Sequence, residues 1–160
     1  MIIDRGLAQG VALGAPVIND AGVLGQVTRV YPLSSEVTLL ADKDAAIPVL
    51  NARNQLRSAA FGARNGMELR FMAGNADVQV GDLLTTSGVD GIYPPGLPVA
   101  RVEKVERRAD SAFARIYCAP QALVTGARHV MVLKPVSAQI PPRPPVEPVT
   151  AASPKKGARK

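Results

Sequence analysis

Short runs of β-branched residues, each ended by glycine or proline, are the feature that most restricts the fold of this chain. Nineteen of its 160 residues are Val, and 14 Gly and 14 Pro are spread among them. β-Branched side chains favour extended backbone, whereas Gly and Pro fix the backbone angles of tight turns. The pattern therefore predicts an all-β fold of short strands, and it excludes an all-helical bundle and a large multidomain enzyme.

Several segments follow this pattern closely. Residues 36–41 alternate between apolar and polar side chains, as expected for a strand with one buried face. Residues 14–18 and 23–30 fit two strands on either side of the turn at 19–22, which is rich in Asn, Asp and Gly. Residues 112–118 alternate in the same way as 36–41. These segments predict antiparallel strands joined by tight turns.

The chain also repeats part of its own pattern. Val11–Gly14 resembles Val78–Gly81, and Gly25–Val30 resembles Ala100–Val105, with which it shares a V-x-x-V spacing. A duplicated unit of about 60–70 residues is too small for an open sheet to cover its own edges, and closure into a barrel removes those edges. We therefore expect two small packed β-barrels.

The expected division of the chain follows from the repeat and from composition. We assign residues 1–62 to the first barrel and 63–138 to the second, and we allow for strands exchanged between the two. Residues 139–160 contain six Pro, five basic residues and one acidic residue, so they carry a net charge of +4 against +2 for the other 138 residues. Such a segment buries too little apolar surface to fold, which predicts a disordered, Pro-rich basic tail.

Catalytic, metal-binding and cofactor-binding residues are not expected. A chymotrypsin-like serine hydrolase is the first alternative, because two packed barrels suit that class of enzyme. The single His of the chain, His129, follows Ser87, however, and Ser87 lacks the glycine two residues earlier that a nucleophile elbow requires. Residues 42–44 begin like a calcium loop, but Ile47 and Arg53 occupy its sixth and twelfth positions.

A β-barrel nucleic-acid-binding module is the second alternative. Such barrels bind single strands with aromatic side chains in a basic groove. The chain offers four spaced arginines and two nearby phenylalanines: Arg53, Arg57, Arg64, Arg70, Phe61 and Phe71. Six aromatic residues are few for this role, and the body of the chain is nearly neutral. We therefore expect solvated arginines on outward strand faces and no nucleic-acid partner.

The segment Thr85–Val99 is the candidate for contact with another protein. Its glycines and prolines stiffen the backbone, and apolar side chains on a stiff loop lose little conformational entropy when they bind. Ile92, Tyr93 and Pro94 are the predicted interaction residues. An equally supported alternative is that Tyr93 packs across the mouth of its own barrel.

An ordered series of motifs marks a family resemblance. The motifs are Ile2–Gly6, Gly10-Val11, Gly14-x-Pro-Val17, Gly22–Val27, Ala46–Val49, Gly81–Gly88, Gly91 and Pro94–Val99. In this order they resemble the rod shape-determining protein MreC family, from about Ile2 to Leu133. The spacing T-S-G-x-x-G-x-x-P-x-G-x-P-V is the most specific part of the resemblance.

The resemblance implies a fold and a function. It implies two β-barrels arranged as in chymotrypsin but without catalytic residues, and hence a protein that is not an enzyme. The implied role is that of a scaffold of the cell-elongation machinery for lateral peptidoglycan synthesis, which maintains rod shape. The implied partners are a class B penicillin-binding transpeptidase that it activates, MreD, RodA, indirectly MreB, and further copies of itself.

The resemblance also implies a location. MreC proteins place this domain in the periplasm. They begin with a transmembrane helix and a coiled coil, neither of which this sequence contains, so we interpret the chain as a fragment. We expect the full-length protein to be anchored in the inner membrane by that helix.

Overall fold

The computed structural model describes residues 1–123, 125 and 127–139. Within them lie eleven strands, a 3₁₀ turn at Leu7–Gln9 and a four-residue helix, α1 (Val136–Gln139). The strands are β1 (Ile2–Ile3), β2 (Pro16–Ile18), β3 (Val23–Val30), β4 (Ser35–Leu39), β5 (Ala46–Asn51), β6 (Arg57–Ala63), β7 (Gly66–Ala73), β8 (Leu83–Thr86), β9 (Pro98–Glu106), β10 (Phe113–Pro120) and β11 (Met131–Val132).

The strands form two antiparallel units, which confirms the predicted all-β fold. β10, β7, β6, β5, β8 and β9 close into a six-stranded barrel. The other unit is a five-stranded sheet in the order β1-β4-β3-β2-β11. This unit differs from the expected closed barrel. Within the described residues, β1 and β11 are the two edge strands of the sheet and no strand joins them, so the sheet stays open.

The change from one unit to the other lies between Leu39 and Ala46, earlier than the expected division between residues 62 and 63. β5 pairs with β6 on one side and with β8 on the other, so both β5 and β6 belong to the closed barrel. A sheet closes into a barrel only when each of its edge strands pairs with another strand. The pairing of β5 with both β6 and β8 completes this ring. The expected tail at 139–160 lies outside the described residues except for Gln139.

Matching backbone hydrogen bonds relate the two units. The N–H of Gly14 donates to the carbonyl of Val27 at 2.8 Å, and the N–H of Gly81 donates to the carbonyl of Val102 at the same distance. Both glycines have positive φ, +80° and +94°, which side chains disfavour. The strands β1, β4, β3, β2 and β11 thus correspond to β7, β10, β9, β8 and β5, and β6 has no counterpart among the described residues of the first unit.

The two units are packed together. Val23 begins β3 and Leu40 directly follows β4, so both belong to the first unit. Their buried side chains nevertheless lie in the core of the barrel. Gly22 lies so close to the start of β9 that a Cβ atom there would overlap the carbonyl oxygen of Pro98. In return, Ala122, which follows β10, is buried in the core of the first sheet. Shared core residues therefore fix the position of one unit against the other.

Candidate protein-interaction surface

The loop 87–97 joins β8 to β9 and contains the predicted interaction residues. The hydroxyl of the fully buried Thr86 donates to the carbonyl of Pro94 at 2.5 Å and accepts the N–H of Leu97 at 2.9 Å. The backbone N–H of Thr86 also donates to the carbonyl of Leu97 at 2.9 Å. These bonds hold the loop closed across the end of the barrel.

Tyr93 does not stand at the surface of this loop. Its residue is 3% exposed and lies in the barrel core, and burial raises the pKa of its hydroxyl well above the usual range. Of the two positions considered for Tyr93, the structure therefore shows the one in which the ring packs into its own barrel. Ile92 and Pro94 remain half-buried. The backbone of Ile92 also accepts the N–H of Val136 at 3.3 Å, so the start of α1 lies against the loop.

The residues weighed for catalysis are not assembled into a site. His129 lies in the segment before β11 and Ser87 follows β8, and among the described residues no hydrogen bond joins His129 to a serine. No group of three or more His, Cys, Asp or Glu side chains suited to a metal ion occurs in the same part of the chain. Cys118 is buried within the barrel, and burial raises the pKa of its thiol to about 12.

Arg53, considered above as a solvated arginine, instead holds two carboxylates. Its Nε donates to Asp82 at 2.9 Å, and its terminal nitrogens donate to both carboxylate oxygens of Asp77 at 3.0 Å. The bonds from Arg53 lower the pKa of Asp82 to about 2 and also lower the pKa of Asp77. The pKa of the Arg53 guanidinium rises correspondingly. Two donor edges of the guanidinium are therefore occupied by carboxylates.

The same network joins two segments of the barrel. Asp82 is 7% exposed and accepts the side-chain amide of Asn51 at 2.6 Å and the N–H of Gln79 at 3.0 Å. It thereby ties the hairpin loop after β5 to the turn before β8. The sequence does not predict this cluster from a short motif, because Asp82 lies 29 residues after Arg53 in the chain. The network is a structural clamp between these segments.

The outer wall of the barrel carries a feature that the sequence analysis only half identified. The three phenylalanines of the chain, Phe61 on β6, Phe71 on β7 and Phe113 on β10, form a continuous group, here called the phenylalanine cluster. Phe71 lies in the middle, with its ring centroid 6.5 Å from that of Phe61 and 6.4 Å from that of Phe113, both edge to face. The guanidinium carbon of Arg70 lies 4.9 Å from the centroid of Phe61.

A β-bulge produces this arrangement. Ala114 pairs with Met72 whereas Ile116 pairs with Leu69, so the β7 residues 70 and 71 together face one residue of β10. Both of these side chains consequently point outward. Phe71 is 77% exposed and Phe113 is 54% exposed. The sequence suggests that Phe61 and Phe71 are near each other, and the alternation in β10 predicts that Phe113 lies opposite Ala114, but only the strand register brings Phe113 to the other two rings.

Comparison with known proteins identifies relatives of the chain. A family model described as "Rod shape-determining protein MreC, barrel core" matches residues 1–134. Cell shape-determining protein MreC of Escherichia coli is 38% identical over 135 residues, which are 83% of this chain and 37% of that protein. The corresponding protein of Haemophilus influenzae is 37% identical over 142 residues, 88% of this chain and 40% of that protein. The chain thus spans about two fifths of the length of these relatives.

Solved structures share the fold. The crystal structure of MreC from Pseudomonas aeruginosa has a TM-score of 0.79 and 40% identity, covering 82% of this chain and 86% of that one. MreC in a structure described as a complex with Penicillin-Binding Protein (PBP2) from Helicobacter pylori has a TM-score of 0.61, 23% identity and coverage of 75% and 76%. A further structure, described as the major periplasmic domain of MreC, has a TM-score of 0.63 at 21% identity, covering 76% of this chain and 77% of that one.

Proposed function

Because the chain belongs to the MreC family of rod shape-determining proteins, we propose that its two β units form a scaffold that binds a class B penicillin-binding transpeptidase. Family membership is the observation that carries this proposal, since the match includes both units in full. It is also the reason to regard the chain as a structural protein and not as an enzyme. The fold is shared with an MreC whose structure contains PBP2, which supports a partner of the same class.

The proposed mechanism is a shift in the population of transpeptidase conformations. A scaffold that binds one conformation better than another raises the fraction of that conformation by as much as the two affinities differ. A closed barrel with loops tied down by internal hydrogen bonds suits this role, because a preformed surface loses little entropy on binding. We propose that the favoured conformation is the active one, so that binding promotes lateral peptidoglycan synthesis and maintains rod shape.

The location and the remaining partners belong to the same proposal. We propose that the domain lies in the periplasm, which is supported by the description of a related MreC domain as periplasmic. No helix in the described part of the chain has the length and apolarity needed to cross a membrane. We propose inner-membrane anchoring outside this chain, contacts with MreD and RodA, and an indirect link to MreB.

A binding measurement tests the central proposal. The 160-residue chain is titrated calorimetrically with the extracytoplasmic region of the elongation-specific class B penicillin-binding protein of the same organism. We expect a dissociation constant in the micromolar range or below. The matched control is the class B protein dedicated to cell division, for which we expect weaker binding. Absence of binding to the elongation-specific protein at about 100 μM, where a micromolar complex would be nearly saturated, contradicts the proposal.

Self-association is tested separately by sedimentation. Because Tyr93 is buried, its substitution would disturb the barrel, so the accessible neighbour is changed instead. If the loop 87–97 mediates contact between copies, Ile92→Ser shifts the chain toward the monomer. Leu13→Ser, at a residue that is 68% exposed on the other unit, is the control and leaves the distribution unchanged. Equal profiles for I92S and the parent remove this loop from the interface.

A further inference from the structure

The chain contains one Asn-Gly dipeptide, Asn65-Gly66, and it lies at the tip of a hairpin. Ala63 at the end of β6 pairs with Gly66 at the start of β7, so only Arg64 and Asn65 lie between the two strands. Both of these residues are exposed. An asparagine side chain reacts with the backbone nitrogen of the next residue where that nitrogen can approach it, and glycine hinders the approach least because it has no Cβ.

The fold requires glycine at position 66. Its φ is +129°, a value that side chains disfavour. A Cβ atom there would also lie 2.8 Å from the carbonyl oxygen of Cys118 on the neighbouring strand β10, which is closer than Cβ atoms approach a carbonyl. Asparagine is in turn one of the residues that tight turns favour. The reactive dipeptide is thus a consequence of the backbone geometry of this hairpin.

The other four asparagines of the chain are held in less reactive arrangements. The side-chain oxygen of Asn19 accepts two backbone N–H groups of its own turn, at 2.9 and 3.1 Å. After Asn51, Asn54 and Asn75, the following backbone N–H, which supplies the attacking nitrogen, donates to a carbonyl at 2.9, 2.8 and 2.9 Å respectively. None of these four asparagines precedes a glycine.

The one Asp-Gly dipeptide, Asp90-Gly91, is also held by hydrogen bonds. The carboxylate of Asp90 accepts the N–H groups of the two residues after Gly91, at 3.1 and 3.4 Å. The N–H of Gly91 itself donates to the carbonyl of Gly88 at 3.3 Å. Gly66 differs, because its pair with Ala63 is the last of the ladder and borders an exposed turn. Pairs at the end of a ladder open at the lowest cost in free energy.

We propose that Asn65 is a site of spontaneous deamidation, which converts the tip of this hairpin into an acidic and partly isoaspartyl turn. The backbone nitrogen of Gly66 attacks the side-chain carbonyl carbon of Asn65, and a C–N bond forms between them. The proton of the Gly66 N–H passes through solvent to the side-chain nitrogen, which leaves as ammonia. Water then opens the resulting succinimide ring at one of its two carbonyls, to give either aspartate or isoaspartate.

The two products change the hairpin differently. Each places a carboxylate beside Arg64 where the parent has a neutral amide, so the net charge of the chain falls by one. In isoaspartate the chain also runs through the former side chain and is longer by one methylene. A turn of two residues does not absorb this extra length, so the pair between Ala63 and Gly66 is lost. The isoaspartyl form therefore melts below the parent, whereas Asn65→Asp, which adds only the charge, melts close to it.

Incubation of the folded chain tests the inference. Samples are kept at pH 7 and at pH 9, and peptide mapping by mass spectrometry follows each asparagine, with an isoaspartyl methyltransferase as the probe for isoaspartate. We expect Asn65 to be converted at least tenfold faster than Asn75, which is also exposed but precedes alanine. The rate is higher at pH 9, because the attacking nitrogen must lose its proton. Asn65→Gln is the matched control and gives no isoaspartate in this turn.

A parallel incubation in urea shows what the hairpin itself does. If Asn65 is converted in the unfolded chain but stays intact in the folded chain over the same period, the ladder protects it and the inference is wrong. Conversion of Asn65 no faster than that of Asn75 in the folded chain also overturns it. If Asp90 forms isoaspartate as quickly as Asn65 does, the hydrogen bonds around Asp90 do not protect it, and the structural reason for selecting Asn65 fails.

Discussion

Arg53 and Asp82 are joined by two hydrogen bonds, from Nε at 2.9 Å and from a terminal guanidinium nitrogen at 3.0 Å. Asp82 is 7% exposed, so this carboxylate depends on its partners for solvation. Asp82 is the buried member of the pair, so its stabilisation comes from the bonds that it accepts, whereas the Arg53 side chain is 38% exposed and also pairs with Asp77. The clamp therefore provides a direct test of how the hairpin loop after β5 is held to the barrel.

We expect Asp82→Asn to destabilise the chain by roughly 2 kcal/mol at neutral pH, from the lowered pKa of this carboxyl. The pKa falls from 3.8 to about 2 on folding, so its contribution is complete only above about pH 5 and is lost as the pH falls through 3.8 toward 2. The difference between parent and variant should therefore shrink between pH 5 and pH 2. Urea unfolding measures it, and a constant difference contradicts the assignment.

Thr86→Val tests the bonds that close the loop 87–97. Valine has nearly the same shape but leaves the carbonyl of Pro94 and the N–H of Leu97 without their side-chain partner. We expect a loss of about 2 kcal/mol, the usual penalty for unsatisfied buried groups. Thr85→Val is the control, because its hydroxyl lies 3.5 Å from the carbonyl of Leu50, and it should change stability by less than about 0.5 kcal/mol. Similar losses for both variants would show that the loop does not depend on Thr86.

Gly22→Ala tests the contact between the two units. Both glycines have positive φ, +148° at Gly22 and +80° at Gly10, so alanine is strained at either position, and by at least about 1 kcal/mol at Gly10. Only at Gly22 does the added Cβ meet the carbonyl of Pro98, whereas nothing lies within 4 Å of a Cβ at Gly10. We expect Gly22→Ala to cost about 1–3 kcal/mol more than Gly10→Ala, as overpacking does. Equal melting temperatures for the two variants would mean that the units are not tightly packed at this point.

Cys118 provides a chemical measure of barrel opening. Its thiol is buried and its pKa is raised to about 12, so almost no thiolate is present at pH 8. We expect a disulfide reagent such as DTNB to react with the folded chain only through opening of the barrel, and to react promptly in urea. The labelling rate should rise in Thr86→Val by a factor of about ten for each 1.4 kcal/mol of stability lost. Rapid labelling of the native parent is the contrary result.

The phenylalanine cluster could be predicted only in part from the sequence. Phe61 and Phe71 stand ten residues apart, and Phe113 lies far along the chain. Whether they meet depends on the pairing of β6, β7 and β10 and on a bulge that turns Phe71 outward. A shift of one residue in register would send these side chains to the other face. Local sequence carries no record of that register.

The loop 87–97 shows the same limit on prediction from sequence, here for a side chain that turns out to be buried. Gly and Pro between 85 and 99 predict a loop, and the structure has it between Thr86 and Pro98, since these residues restrict the backbone locally. The burial of Tyr93 depends on the barrel core beneath it, and the clamp at Arg53 depends on residues far apart in the chain. Propensity therefore predicted the backbone of the loop and could not choose between the two positions of its aromatic side chain.

Taken alone, the order of Val, Gly and Pro determined an all-β chain of two related units, because strand and turn preferences act over a few residues. The family could be recognised for the same reason, since its motifs mark turns. Tertiary structure decided where one unit ends, which of them closes, and which side chains face outward. Those outcomes depend on strand pairing between distant residues, and each pairing becomes favourable only when the rest of the barrel is in place.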